Sequence, residues 1–161
     1  MTLATHAVVG AAIARLIPKH PIAGFFFAFI SHFLIDAIPH GHYRLFSTKR
    51  DSENPLNDDM VLGKNFILDL LNIGLDLLIG IGLTFAIFNQ SSYLTLCLGI
   101  IGGVLPDALQ FAYWKIRKEP LTSLQKFHHN IHAKKKFNDN LPIAFLIEAT
   151  AILAITLLRN F

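Results

Sequence analysis

Long apolar stretches separated by short polar ones set the plan of this chain. Leu3 to Ile17 is rich in Ala and Val, opens with Thr5-His6 and closes at Pro18, which predicts a short first helix, barely long enough to cross a bilayer. Pro21 to Ile38 predicts a second helix, with Pro21 tolerated in the first turn and a Phe-rich half facing lipid. From Pro39 to about Met60 the apolar period disappears and a solvated loop is expected. A third helix is expected from Val61 to Phe88. The uncharged turn Asn89-Gln90-Ser91-Ser92 then leads antiparallel into a fourth, from Tyr93 to Arg117, which Pro106 should kink. The segment from Lys115 to Asp139 is basic and mixed, with Leu121, Leu124, Phe127 and Ile131 at helical spacing, so Leu121 to Ala133 predicts a short helix lying in the interface. Leu141 to Leu158 is the last apolar run. The expected fold is all-α: an integral membrane bundle of about five helices plus the interfacial one, in a single domain over residues 1–161.

Composition sharpens this. Of 161 residues, 53% are hydrophobic and 16% charged, less charge than a soluble domain of this length carries. Cys97 is alone, which excludes an internal disulfide and a thiolate-built metal site. No basic residue precedes Arg15, so the first apolar stretch is expected to be retained rather than cleaved as a signal peptide. The net charge of +3 is modest and the basic residues are bunched in loops, a pattern for membrane orientation and not for nucleic acid. With five crossings, eleven of the fourteen Lys and Arg fall on the side of the Pro39–Met60 loop; Arg15, Lys19 and Arg159 fall on the other. The positive-inside rule then puts the N-terminus in the cytoplasm and the C-terminus outside it, in a cytoplasmic or inner membrane.

The candidate chemistry gathers on that same side. His32 and Asp36 lie one helical turn apart on one face, and His40 and His42 follow just after Pro39. Ionisable groups in an apolar segment cost several kcal/mol unless paired, so each is a site hypothesis. The topology brings His6, Asp69, Asp107, His128 and His132 towards them, with Asp69 about 7 Å and Asp107 roughly 12 Å below the boundary. His128 and His132, one turn apart, would close over the ligands as a lid, with His129 rotated away. The expected metal set is His6, His32, Asp36, His40, Asp107, His128 and His132. Asp69 and Asp76 share a face of the third helix and are the candidate catalytic carboxylates. Asp76, about 10.5 Å beyond Asp69, would ligate a second metal, orient a ligand histidine or pair with a buried donor. Glu148 is a packing acid or a general base. Imidazoles and carboxylates without thiolate suit zinc first, then iron, manganese or nickel.

Thr5-His6, Ser31-His32-x-x-x-Asp36, Leu105-Pro106-Asp107 and Phe127-His128-His129-Asn130-Ile131-His132 together resemble the small membrane-bound metal-dependent hydrolases similar in motif to the zinc-dependent phospholipase C group. Two departures stand out: members carry His-Arg-x-x-Thr-His where this chain has His128-His129-Asn130-Ile131-His132, and Ser-His-x-x-x-Asp here precedes Leu-Pro-Asp. The resemblance implies an all-helical metal site and a phosphoester or lipid-like substrate, cleaved at the cytoplasmic face by a metal-activated water, with membrane lipid as partner. The competing expectation is a non-enzymatic membrane protein, either a small ion or proton carrier, which at this size would have to form a homo-oligomer, or a scaffold with a structural metal.

Overall fold

The computed structural model describes residues 1–157. It is mostly helical: α1 (Leu3–Ala14), α2 (Pro21–Asp36), α3 (Lys64–Ile87), α4 (Tyr93–Ile116), α5 (Leu121–Ile131) and α6 (Leu141–Leu157). Strands β1 (Thr48–Lys49) and β2 (Asp59–Met60) pair antiparallel, Thr48 with Met60 and Lys49 with Asp59, on either side of a single 3-10 turn at Pro55–Asn57. The expected end of the last helix at Leu158, together with Arg159 and the C-terminus at Phe161, lies outside the described residues.

Helix α1 is the central post, packed against α2, α3, α4 and α6. Its small residues allow this: a Cβ on Gly80 would stand 2.6 Å from the Ala4 Cα, and one on Gly103 would strike the His6 carbonyl oxygen. Close backbone approach of this kind is how helices associate where lipid removes the hydrophobic drive. The start of α1 is capped from three directions. Thr2 Oγ1 accepts from the Thr5 backbone N–H at 3.3 Å. Asp76 on α3 accepts from the Leu3 and Ala4 amides at 2.7 and 3.4 Å. Glu148 on α6 accepts from the hydroxyls of Thr2 and Thr5. Two carboxylates thus stand at the positive end of the helix, Asp76 meeting its otherwise unpaired amides and Glu148 the threonine hydroxyls beside them, so they fix where α1 begins and hence where His6 points.

Several expected boundaries move, each for a local reason. Helix α2 stops at Asp36 and not at Ile38, because Pro39 disfavours helical backbone in the residue before it. Helix α4 runs unbroken through Pro106 and ends at Ile116, where Arg117 takes a left-handed φ of 49°. The loop after α2 is organised: Asp69 accepts from the Phe46 amide at 3.0 Å, the Ser47 amide at 2.7 Å and the Ser47 hydroxyl at 2.6 Å, which pins it to α3. Tyr113 donates to the Leu56 carbonyl at 3.0 Å and ties the same loop to α4.

Two helices, α3 and α4, are long and apolar enough to cross a membrane by length and composition, and they support membrane association. At 24 residues each they span about 36 Å against a hydrocarbon core of about 30 Å. Helices α1, α2 and α6, at 12, 16 and 17 residues, reach about 18 to 26 Å. Among the described residues, two of the five full crossings expected from sequence meet this measure. Large apolar side chains nonetheless face outward on α2 (Phe26, Phe27, Ile30, Leu34), α3 (Leu68, Leu71, Leu75, Leu78) and α6 (Phe145, Leu146, Leu153).

Candidate metal centre

Asp36, the last residue of α2, is 2% exposed and stands where α1, α2, α4 and α5 meet. Five imidazoles present Nε2 to its carboxylate. His6 lies 3.3 Å and His40 3.6 Å from Oδ1; His128 lies 3.1 Å, His32 3.3 Å and His132 3.9 Å from Oδ2. Oδ1 also accepts from the Met1 backbone nitrogen at 2.8 Å. Asp107, from the Leu-Pro-Asp turn of α4, closes the far side with Oδ1 3.6 Å from His32 Nε2 and a side chain 32% exposed.

Each ring arrives by a separate local device. His32 precedes Asp36 by one turn of α2, and its Nδ1 donates to the Gly103 carbonyl at 2.7 Å. His40 leaves the helix after Pro39, and its Nδ1 donates to the Ile38 carbonyl at 2.6 Å. His128 is carried in by α5, whose end is tied down where the Ala133 amide donates to the Asp36 carbonyl at 2.8 Å. His132, the residue that caps α5, donates from Nδ1 to the Ala133 carbonyl at 3.3 Å. His6 stacks on His32 with ring centroids 3.9 Å apart. His42 lies beside the cluster, Nε2 3.0 Å from His40 Nε2, and Asn138 Oδ1 holds its amide at 2.8 Å.

A carbonyl only accepts, so the contacts at Nδ1 fix the tautomer of His32, His40 and His132 and leave each neutral ring with its lone pair on Nε2. Burial pushes the His40 and His42 imidazoles down to about 4 and about 2, so both are neutral at pH 7. His132 is lowered as well, again by burial, against the opposing pull of Asp36. The five contacts, at 3.1 to 3.9 Å, bring imidazole nitrogens against carboxylate oxygens, whose lone pairs repel unless a cation is shared between them, and one proton serves one such contact, not five. His6 adds a further sign: its Nδ1 is buried without a hydrogen-bond partner, at a cost of about 1–3 kcal/mol, and its Nε2 meets Asp36 Oδ1 at 3.3 Å without a well-aligned hydrogen bond. An anchored Nδ1 with Nε2 turned inward is the arrangement that outer-shell carbonyls impose on metal-binding histidines. The residues present fit a divalent metal, and two groups have their ligand atoms within 4.8 Å of one another: His32, Asp36, Asp107 and His128, and His40, His42 and His132.

All seven residues of the expected metal set converge here. The two candidate catalytic carboxylates are engaged elsewhere: Asp69 holds the loop at Phe46 and Ser47, and Asp76 caps α1, which is the buried-donor alternative. Glu148 caps the same helix start. His129 is exposed, one position from the buried His128. Sequence reasoning missed the carbonyls of Gly103 and Ile38, the support that Asn138 gives His42, and Tyr43. Tyr43, Arg44, Asn72 and Asp76 line a shallow cleft of about 290 Å³ next along the chain from His42. No family model, curated protein or solved structure matches the chain.

Proposed function

We propose that this chain is a membrane-embedded, metal-dependent hydrolase acting on a phosphoester or lipid-like substrate at the cytoplasmic face. The observation that carries the reading is that His32, His40 and His132 turn Nε2 onto one buried carboxylate while backbone carbonyls hold their Nδ1 atoms, with His6 and His128 completing the ring of imidazoles around it. A divalent transition metal, zinc first among them, supplies a water acidic enough to ionise near pH 7 and polarises a phosphoryl oxygen. The chain's own residues then have separate tasks. His6, His32, Asp36 and His128 hold the ion from inside the bundle. Asp107, more exposed than these, faces the side from which substrate arrives. Arg44, in the cleft beside Tyr43, offers a cation for an anionic headgroup. Asp76 and Glu148 work through α1, fixing the position of His6. The resemblance in motif to membrane-bound hydrolases points to the same reaction class.

The exposed Leu, Ile and Phe of α2, α3 and α6 favour immersion of the whole bundle, with the bilayer thinned around the shorter helices. The basic loops around the cluster orient that end to the cytoplasm. A carrier would need free ionisable groups through the full depth, and Asp69, Asp76 and Glu148 are each held by backbone amides or hydroxyls at the cluster end. A structural metal is the second reading, favoured by the way the cluster ties α1, α2, α4 and α5 together. Both are tested on tag-free protein in detergent, by elemental analysis and by hydrolysis of a generic phosphodiester and of phospholipid vesicles. We expect bound metal and a chelator-sensitive hydrolysis that Asp36→Ala abolishes. Metal without hydrolysis of either substrate would leave the structural reading, and a chain that binds no metal would end both.

A further inference from the structure

We infer that the hollow between the β1–β2 hairpin and the start of α3 binds the phosphate of one anionic phospholipid, whose chains then run along the outward face of α3. The hollow has a volume of about 350 Å³ and is lined by Thr48, Lys49, Lys64 and Asn65 together with the apolar Phe46 and Leu62. It shares no residue with the metal cluster. No carboxylate lines it, and among the described residues neither lysine forms an ion pair. The start of α3 adds to this unbalanced positive charge. Gly63 has no side chain to cap the helix, no acid stands in the first turn, and the residue that opens the helix is Lys64. The first helical bond runs from the Ile67 amide to the Gly63 carbonyl at 3.3 Å, so the amides of Lys64, Asn65 and Phe66 have no acceptor in the helix. The positive end of the helix dipole and two ammonium groups thus gather with nothing negative to offset them. A Cβ on Gly63 would meet nothing within 4 Å, so the space beside these amides is open. Thr48 Oγ1, buried without a hydrogen-bond partner, is a further unmet polar group in the same lining.

A phosphate ester answers all of these groups at once, taking hydrogen bonds from free helix-start amides and charge from the lysines. The apolar neighbours make its bearer a lipid. Phe46 and Leu62 are 57% and 67% exposed beside the lysines, and α3 leads from here into the outward Leu68, Leu71 and Leu75 of a helix long enough to cross a bilayer. A helix that enters a bilayer begins at headgroup level, where lysine stems lie along apolar surface and their ammonium groups meet anionic phosphates. The hollow is also held in shape before any ligand arrives. Asp69 fixes the Phe46 and Ser47 amides, and the Val61 amide donates to the Ser47 carbonyl at 2.9 Å. The bound lipid is therefore a fixed companion of this end of α3, distinct from the mobile lipids around the bundle.

Native mass spectrometry of tag-free protein in a non-ionic detergent, titrated with dioleoylphosphatidylglycerol or with dioleoylphosphatidylcholine, tests this. Wild type should bind one phosphatidylglycerol about tenfold or more tighter than phosphatidylcholine. Lys49→Gln combined with Lys64→Gln should remove that preference, while Lys134→Gln combined with Lys135→Gln, which deletes the same charge elsewhere, should keep it. Lys64→Glu separates binding from folding: an acid in the first turn of α3 should raise the thermal midpoint and yet abolish the preference. No preference in wild type, equal losses in the two double variants, or a Lys64→Glu protein that keeps the preference would overturn the site. Displacement of the lipid by an equal concentration of glycerol 1-phosphate would overturn it too, because the chains would then contribute nothing.

Discussion

Helices α1 and α3 lie against each other and are built by opposite rules. Ten of the twelve residues of α1 are buried, among them Ala7, Val8, Gly10 and Ala11. On α3 the buried residues are Asp69, Gly80 and Thr84, two of them polar, while its leucines face outward. A helix that hides its polar groups and shows its leucines is inverted relative to one that borders water. The short helix is thus the core of the assembly and the long one its wall. What α3 contributes inward is anchoring: Asp69 holds the loop, Asp76 holds the start of α1, and Gly80 lets the two backbones approach.

Substitutions that treat the two helices differently should break or sharpen this contrast. The largest effect is expected for Leu78→Arg, which puts a charge on the outward face of α3 and should cost about 2.5–3.5 kcal/mol of membrane insertion. Translation in the presence of microsomes reads it as a fall in the inserted fraction. A neutral outcome, within about 0.5 kcal/mol as for a water-facing site, would refute the lipid-facing wall. Next comes Gly103→Ala on α4, whose new Cβ meets the His6 carbonyl. Overpacking there should cost about 1–3 kcal/mol and reduce bound metal along with it. By contrast Gly74→Ala on α3, where a Cβ meets nothing within 4 Å, should stabilise the helix by about 0.5–1 kcal/mol. Denaturation of the two variants side by side in the same detergent measures the pair, and equal effects would erase the distinction between core and wall. The smallest effect on the metal is expected for Asp76→Ala, a lost helix cap worth about 0.5–2 kcal/mol. It should weaken metal binding less than tenfold, because it reaches His6 only through the position of α1. A loss as large as that of Asp36→Ala would place Asp76 at the metal itself.

The contrast also explains what the sequence could reveal. Apolar runs of helical length made the helices legible, and the one-turn spacing of His32 and Asp36 made a shared face legible, since both depend on local periodicity. The convergence of His6, Asp107 and His128 followed from alternating the helices through a membrane and counting loop charges. The functions of Asp69 and Asp76 did not follow, because three acidic or amide residues on one face of α3 read as a polar stripe whether they meet a metal or a backbone amide. Their partners, Ser47 and Leu3, lie 22 and 73 residues away and donate from backbone amides, which carry no side-chain signature; the Ser47 hydroxyl only adds to its amide. The loop's order was illegible for the same reason: it read as solvated and most of it is exposed, but nothing in its pattern shows that Asp69 and Tyr113 hold it from helices that begin after it.

X-ray absorption at the zinc edge of tag-free, zinc-loaded protein speaks to the metal centre itself. The structure predicts a shell of nitrogen and oxygen at about 2.0–2.2 Å with imidazole back-scattering and no sulfur. That shell should vanish in Asp36→Ala. A thiolate sulfur near 2.3 Å, which only Cys97 could supply within one chain, or an unchanged spectrum in Asp36→Ala, would contradict a centre gathered around Asp36.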